Sequence, residues 1–236
     1  MSLLTIARSV SVRVMAQNIT VAATSTDPRI VQIIELINEE GQELSDKYDW
    51  QSLTHESSFS AVATEVQGTI TTLTGPDFNF IVNETMWNRS QRRPVFGPKS
   101  TQEWQQLKAQ FMQGPWIQYR LRGNEVIFLP TPTAGDQIYF EWCSKYWCTD
   151  STGVTGKTAM TVDTDIGVLD ERLLVLGGIW RFKKANKLDY GGDYDTYMQA
   201  IDTAAGRDGS KARLNLIGAQ SDIYPGVIVP AGNWPA

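Results

Sequence analysis

Few side chains in this chain of 236 residues have the type and spacing that covalent or metal chemistry requires. Asp163, Asp165, Asp170 and Glu171 form the densest carboxylate group, and such a group could hold a divalent cation or cleave a glycoside. Their position favours a plainer role. Asp165 lies just before an apolar helical run, and Asp170 and Glu171 fall in its first turns, where negative charge offsets the helix dipole. The single histidine, His55 beside Glu56, rules out a His-rich metal site and lacks a nearby nucleophile and acid for a triad, so it reads as a solvated residue. Gly153-Val154-Thr155-Gly156-Lys157-Thr158 ends like a phosphate loop, but the earlier glycine is missing at the required spacing and no apolar strand leads into it. It is expected to be a loop.

Cys143 and Cys148 are the only cysteines. In the run WCSKYWC, taken as a strand, they point to opposite faces and stand too far apart for a disulfide, so free thiols in a reducing compartment are expected. Trp142 and Trp147 also have opposite strand parity and could stack on a sugar; at most one of them needs to be core if one face is wet. No cofactor and no metal is expected. The remaining candidate is NETMWNRSQRRPV, residues 83–95, where Trp87 accompanies Arg89, Arg92 and Arg93. Arginines beside a tryptophan could bind phosphate and stack on bases, or form a protein interface, where both residue types are enriched. The net charge of −5 favours the second use. Pro94 requires an extended Arg93, so the run is strand or loop rather than a recognition helix.

The elements that must position these residues follow from periodicity. Leu3, Leu4, Ala7, Val10 and Val14 suit a short amphipathic helix, and Arg8 and Arg13 interrupt what a secretory signal would keep apolar. Asp27-Pro28 is a helix start, and Ile30, Ile33, Ile34, Ile37, Leu44 and Tyr48 mark the buried face that follows. Gly41 falls on that face and suggests close approach of a neighbouring helix. Glu35, Glu39, Glu40, Glu43 and Asp46 are expected to make the other face strongly acidic.

From Trp50 the pattern shifts to short strands, SFSAVAT, TITTL, WIQYRLR, EVIFLP and QIYFEWCSKYWC, separated by Gly and Pro turns. Arg122-Gly123-Asn124-Glu125 is a hairpin signal. One helix interrupts them, opened by the capping box Ser100-Thr101-Gln102-Glu103 and carrying Trp104, Leu107 and Ala109. Leu169, Leu173, Leu176 and Trp180 then make one apolar helical stripe, Gly191-Gly192 breaks it, and a last helix stops at Gly206 to Gly209. The predicted fold class is α+β: a helical bundle core (1–50 and 160–210) with a β-rich insertion carrying one short helix (51–159) and an extended C-terminal tail (211–236). That tail holds Ile223, Tyr224, Val227, Ile228, Val229 and Trp234 but cannot fold alone, so it is expected to cover a groove or dock along a partner. No run of apolar residues is long enough to span a membrane.

Several segments together resemble the head-to-tail adaptor, or connector, proteins of tailed bacteriophages. They are NEEGQELSDKYDWQSLTHE (38–56), FNFIVNETMWNRSQRRPVFGPKSTQEWQQLK (78–108) and TDTDIGVLDERLLVLGGIWRFKKANKLDY followed by YDTYMQAIDTAAGRDG. The resemblance covers most of residues 28–210. It implies a non-enzymatic virion protein in the neck between capsid and tail, made in the bacterial host cytoplasm. It also implies a ring, commonly of twelve copies, that binds the portal protein, meets the tail nozzle or tube, and lets DNA pass through its lumen without specific binding. On this reading Trp87, Arg89, Arg92 and Arg93 serve a subunit interface, the arginines pairing with carboxylates of the same subunit or its neighbour. Glu39, Glu40 and Glu43 form an acidic lumen face, and Ile223, Tyr224, Val227, Ile228, Val229 and Trp234 dock on the portal. The competing expectations are a carbohydrate-binding or glycan-cleaving tail component, suggested by the tryptophans and aspartates, and a DNA-binding factor.

Overall fold

The computed structural model describes residues 2–109 and 114–209, so the expectations placed on Ile223 to Trp234 lie outside the described residues. Six helices occur among these: α1 (Leu3–Met15), α2 (Pro28–Lys47), α3 (Ile70–Thr74), α4 (Thr101–Ala109), α5 (Glu171–Ala185) and α6 (Gly191–Asp208). The strands of the first half are β1 (Thr54–Ser60), β2 (Val66–Thr69), β3 (Phe78–Ile81), β4 (Trp87–Asn88) and β5 (Arg93–Pro94). Those of the second half are β6 (Gln118–Arg122), β7 (Glu125–Leu129), β8 (Gln137–Ser144), β9 (Cys148–Thr149), β10 (Gly156–Lys157) and β11 (Ile166–Gly167). The fold is α+β, and all the strand pairings are antiparallel.

The long helices form a bundle around α5, which packs on α1, α2 and α6. Leu173, Leu174, Val175, Ile179, Trp180 and Phe182 are all buried, so α5 is apolar around most of its circumference rather than along the single expected stripe. A helix enclosed on several sides has that composition. Gly177 and Gly178 make the enclosure possible: a Cβ on Gly177 would overlap the Glu40 side chain of α2, and one on Gly178 would come within 3.0 Å of Val10 in α1. The cap at Asp27 follows the sequence signal, accepting from the Arg29 N–H at 2.9 Å, whereas α5 begins later than expected, so that Asp170, expected inside its first turn, is instead its cap and accepts from the Arg172 N–H at 2.9 Å.

Between α2 and α5 lies the β-rich region. β8 is its spine, pairing along its length with β1, and on its other edge with β3 at one end and β4 at the other. β4 in turn pairs with β5. The hairpin at Gly123-Asn124 joins β6 to β7 in register Arg122↔Glu125, with Gly123 at φ +62°. The capping box before α4 is formed in both directions, Ser100 N–H to Glu103 at 2.9 Å and Glu103 N–H to the Ser100 hydroxyl at 3.3 Å. TITTL departs from expectation, because only Thr69 belongs to β2 and Ile70 opens α3. There Ile70 N–H bonds the Asn124 carbonyl and the Thr74 hydroxyl bonds the Ile70 carbonyl, a local alternative to the sheet ladder that threonines readily supply.

WCSKYWC is not one strand. β8 ends at Ser144, whose hydroxyl accepts from the Tyr146 N–H at 3.0 Å and turns the chain. Trp142 and Trp147 are consequently both buried, in different places: Trp142 in the apolar cluster of the large sheet, Trp147 in that of the helices. Gly41 faces the Trp147 indole, which a Cβ would overlap, so the close neighbour is an aromatic ring and not a helix. Trp147, Cys148 and Met160 thus belong to the core of the helical bundle.

Candidate subunit interface

The carboxylates grouped near α5 serve the plainer, structural role and are taken up largely by backbone bonds. Asp163 accepts from Ala22 N–H at 3.1 Å and Ala23 N–H at 2.7 Å, fastening the loop between α1 and α2. Asp165 is buried, accepts from Thr161 and Val162 N–H, and pairs with Lys157 at 2.7 Å. Burial alone would push its pKa up; these bonds and the Lys157 charge hold it lowered. Lys157, in the run that ends like a phosphate loop, lies in the short strand β10 paired to β9 rather than in the expected loop, and is a structural counter-ion. Among the described residues no group of three or more His, Cys, Asp or Glu is placed to hold a metal ion. His55 is exposed, stacked 5.2 Å from Trp142, and both cysteines are free thiols and buried.

The acidic face of α2 needs a correction. Glu40 is fully buried and cannot line a lumen. Its Oε2 accepts from Arg181 Nε at 2.6 Å and its Oε1 from the Tyr197 hydroxyl, the bonding of an ionised carboxylate. Arg181 also bonds Glu39 Oε1 through Nη1 at 2.7 Å and Glu43 Oε2 through Nη2, so α5 holds three carboxylates of α2 in one guanidinium fork. Burial raises the Glu40 pKa, opposed by its bonds to Tyr197 and Arg181. Burial lowers that of Arg181, but the carboxylates, Glu40 foremost, leave it raised. Glu39 and Glu43 remain exposed at their outer edges. Period-3.6 reasoning put Glu40 outside because it treats a helix as having one buried face; the partner, Arg181, is a long cation on an otherwise apolar helix.

The stretch 83–95 folds as the short β4–β5 hairpin on the edge of β8. Met86 and Val95 are buried beneath it, and Trp87, half-buried, stands between Tyr139 and Pro94 in the ladder. Its turn is held from below by polar groups. Asn88, 1 % exposed, donates to Asp136 at 2.7 Å and accepts from the Gln91 N–H at 3.0 Å, and the Gln91 side chain reaches the same Asp136 oxygen at 2.6 Å. Ser90 accepts from the Gln137 N–H at 2.9 Å. Arg92 sits at φ +55°, a left-handed conformation that costs a non-glycine residue roughly 1–2 kcal/mol.

The three arginines meet different fates. Arg89 pairs with Glu56 and lies 3.6 Å above the Tyr139 ring, so its partners are within the subunit. Arg93 is exposed and stacks at 5.7 Å on Trp116, which is itself 44 % exposed. Among the described residues neither Arg92 nor Arg93 forms an ion pair. The hairpin thus presents two cations and an indole on a braced turn, with Trp116 supplied by the chain just before β6. Sequence reasoning placed Trp116 in a strand, but β6 begins only at Gln118, and nothing local signals that residues 93 and 116 meet. No protein-family model matches the chain, and no curated protein sequence matches it.

Proposed function

We propose that this chain is a non-enzymatic structural virion protein, a head-to-tail adaptor. It assembles as a ring, of twelve copies, beneath a phage portal, extends the DNA channel and docks the tail nozzle or tube. It is made in the bacterial cytoplasm and resides in the neck of the virion. The observation that carries the reading is the braced tip of Arg92, Arg93 and Trp116. Strained, exposed turns held by buried polar bonds concentrate at functional sites, and arginine and tryptophan side chains are the groups most enriched where protein interfaces are anchored. Arg92 and Arg93 lie inside one of the segments that carry the family resemblance, residues 78–108, and Trp116 lies outside it. The order of elements, helices before and after an antiparallel β region, agrees with what that resemblance implies.

DNA would pass such a ring without specific binding because the subunit carries a net charge of −5, and the buried, paired Glu40 adds nothing to that repulsion. A saccharide-binding reading has lost its motive. Trp50, Trp104, Trp142, Trp147 and Trp180 are core residues, and the aspartates once grouped with them hold loops and caps. Light scattering on the full chain, alone and mixed with a portal ring, tests the proposal. A ring-sized species is expected, at the latest when portal is present; a monomer that ignores the portal and binds saccharide would sink it.

A further inference from the structure

Opposite the tip in chemistry is a groove of about 540 Å³ along the outer side of α2. Val31, Ile34 and Met160 supply an apolar floor, Val31 being 45 % exposed, and Glu35 and Glu39 stand on its rim. The groove is preformed. Asn38 bonds the Met160 backbone in both directions, donating to its carbonyl at 3.2 Å and accepting from its N–H at 2.8 Å, which fixes the far wall against α2. Glu35 is exposed and has no ion pair among the described residues, while Glu39 spends one oxygen on Arg181 and keeps an exposed edge.

We infer that this groove is the receptor for the Arg92, Arg93 and Trp116 tip of a second copy of the chain, the indole entering the apolar floor and the arginines meeting Glu35 and Glu39. The inference rests on the ring reading and supplies its missing half. A ring needs heterologous contacts, in which one surface of a subunit meets a different surface of the next. Among the described residues the chain carries a preformed cationic, aromatic projection lacking a carboxylate, and a preformed apolar concavity whose rim has a carboxylate lacking a cation. Its volume lies in the range that encloses a drug-sized molecule, ample for an indole and one guanidinium. The lumen role expected of Glu39 then gives way to a subunit contact.

Three variants of the full chain test this: a tip variant (Arg92→Glu with Arg93→Glu), a groove variant (Glu35→Arg), and the two combined. All altered side chains are exposed, so folding is preserved, which circular dichroism verifies. In sedimentation velocity at rising concentration, and again with a portal ring, the tip and groove variants should each associate at least about tenfold more weakly than wild type. Their equimolar mixture should also assemble, because the intact tip of one meets the intact groove of the other and the charge-reversed tip meets the charge-reversed groove in alternation. The combined variant should regain assembly through the reversed charges. Variants that assemble like wild type refute the inference and leave the ring reading standing. A wild-type chain that stays monomeric in both settings refutes both. Loss of low-salt DNA retention by the tip variant, with sedimentation unchanged, would assign the tip to nucleic acid and overturn the inference.

Discussion

Arg181→Met is the sharpest test of how the helical core is held together. The substitution keeps an apolar stem beside Trp180, whose ring lies 4.8 Å from the guanidinium, but leaves Glu40 fully buried with the Tyr197 hydroxyl as its only remaining partner. Removing one partner of a buried pair typically costs about 3–5 kcal/mol, because the other charge stays uncompensated. For a domain of this size that corresponds to a fall in melting temperature of roughly 6–20 °C. Urea denaturation followed by tryptophan fluorescence and circular dichroism measures the loss. The pH dependence gives a second, independent readout. Glu40 has a pKa raised above its ordinary value of 4.5, so its protonated form favours the folded state. Its contribution is present below the unfolded pKa and lost as pH rises through the folded one. Without Arg181 the folded pKa climbs further, so the deficit of the variant should shrink on acidification toward pH 4.5 and widen toward neutrality. Adding Glu40→Gln should recover much of the loss at neutral pH by removing the charge. A deficit below about 1 kcal/mol, or one that grows as pH falls, would refute the claim that Arg181 compensates a buried Glu40 charge.

Two further outcomes are expected. Gly41→Ala should destabilise: overpacking against Trp147 costs about 1–3 kcal/mol against a gain of about 1 in helix propensity, and the indole cannot slide because its N–H is bonded to the Thr158 carbonyl at 2.7 Å. A variant more stable than wild type in urea would mean that the ring is free to move. The Cys148 thiol is pushed up to about 12, mainly by burial and then by Asp165, and burial also raises that of Cys143. Iodoacetamide at pH 8 should therefore label both slowly in the native chain and quickly in urea, as read by mass spectrometry; rapid native labelling of Cys148 would contradict its burial.

What was legible in the sequence, and what was not, divides by the range of the interaction. Asp27 as a cap, the Ser100 to Glu103 box and the Gly123-Asn124 turn are all settled within four residues, and each forms as its local chemistry dictates. The helix α2 follows from period, down to the burial of Ile30, Ile33, Ile37 and Leu44, whereas α5 is buried on more sides than its one predicted stripe. Glu40 and Trp147 were misassigned for a common reason. Each lies where a local pattern predicts exposure or indifference, and each is drawn inward by a residue far along the chain: Arg181 for Glu40, Gly41 for Trp147.

The two are connected through glycines. Gly41 on α2 makes room for the indole that follows the sheet, and Gly177 on α5 makes room for the Glu40 carboxyl that binds Arg181 one turn later. A glycine within a helix costs about 1 kcal/mol relative to alanine, so two at buried contacts signal that something large or charged must approach the backbone. α2 is thereby gripped on one side by an aromatic ring and on another by a guanidinium fork, and its outer face is left rigid. On the proposed ring contact the groove beside it would need that rigidity, since a receptor surface that had to be ordered on binding would lose affinity to the entropy of ordering. The same logic governs the tip, where Asn88 and Asp136 do beneath the β4–β5 turn what Arg181 does beneath α2. Buried polar groups here fix exposed charge in place, and if the proposed ring contact holds, both of its halves are held ready before they meet.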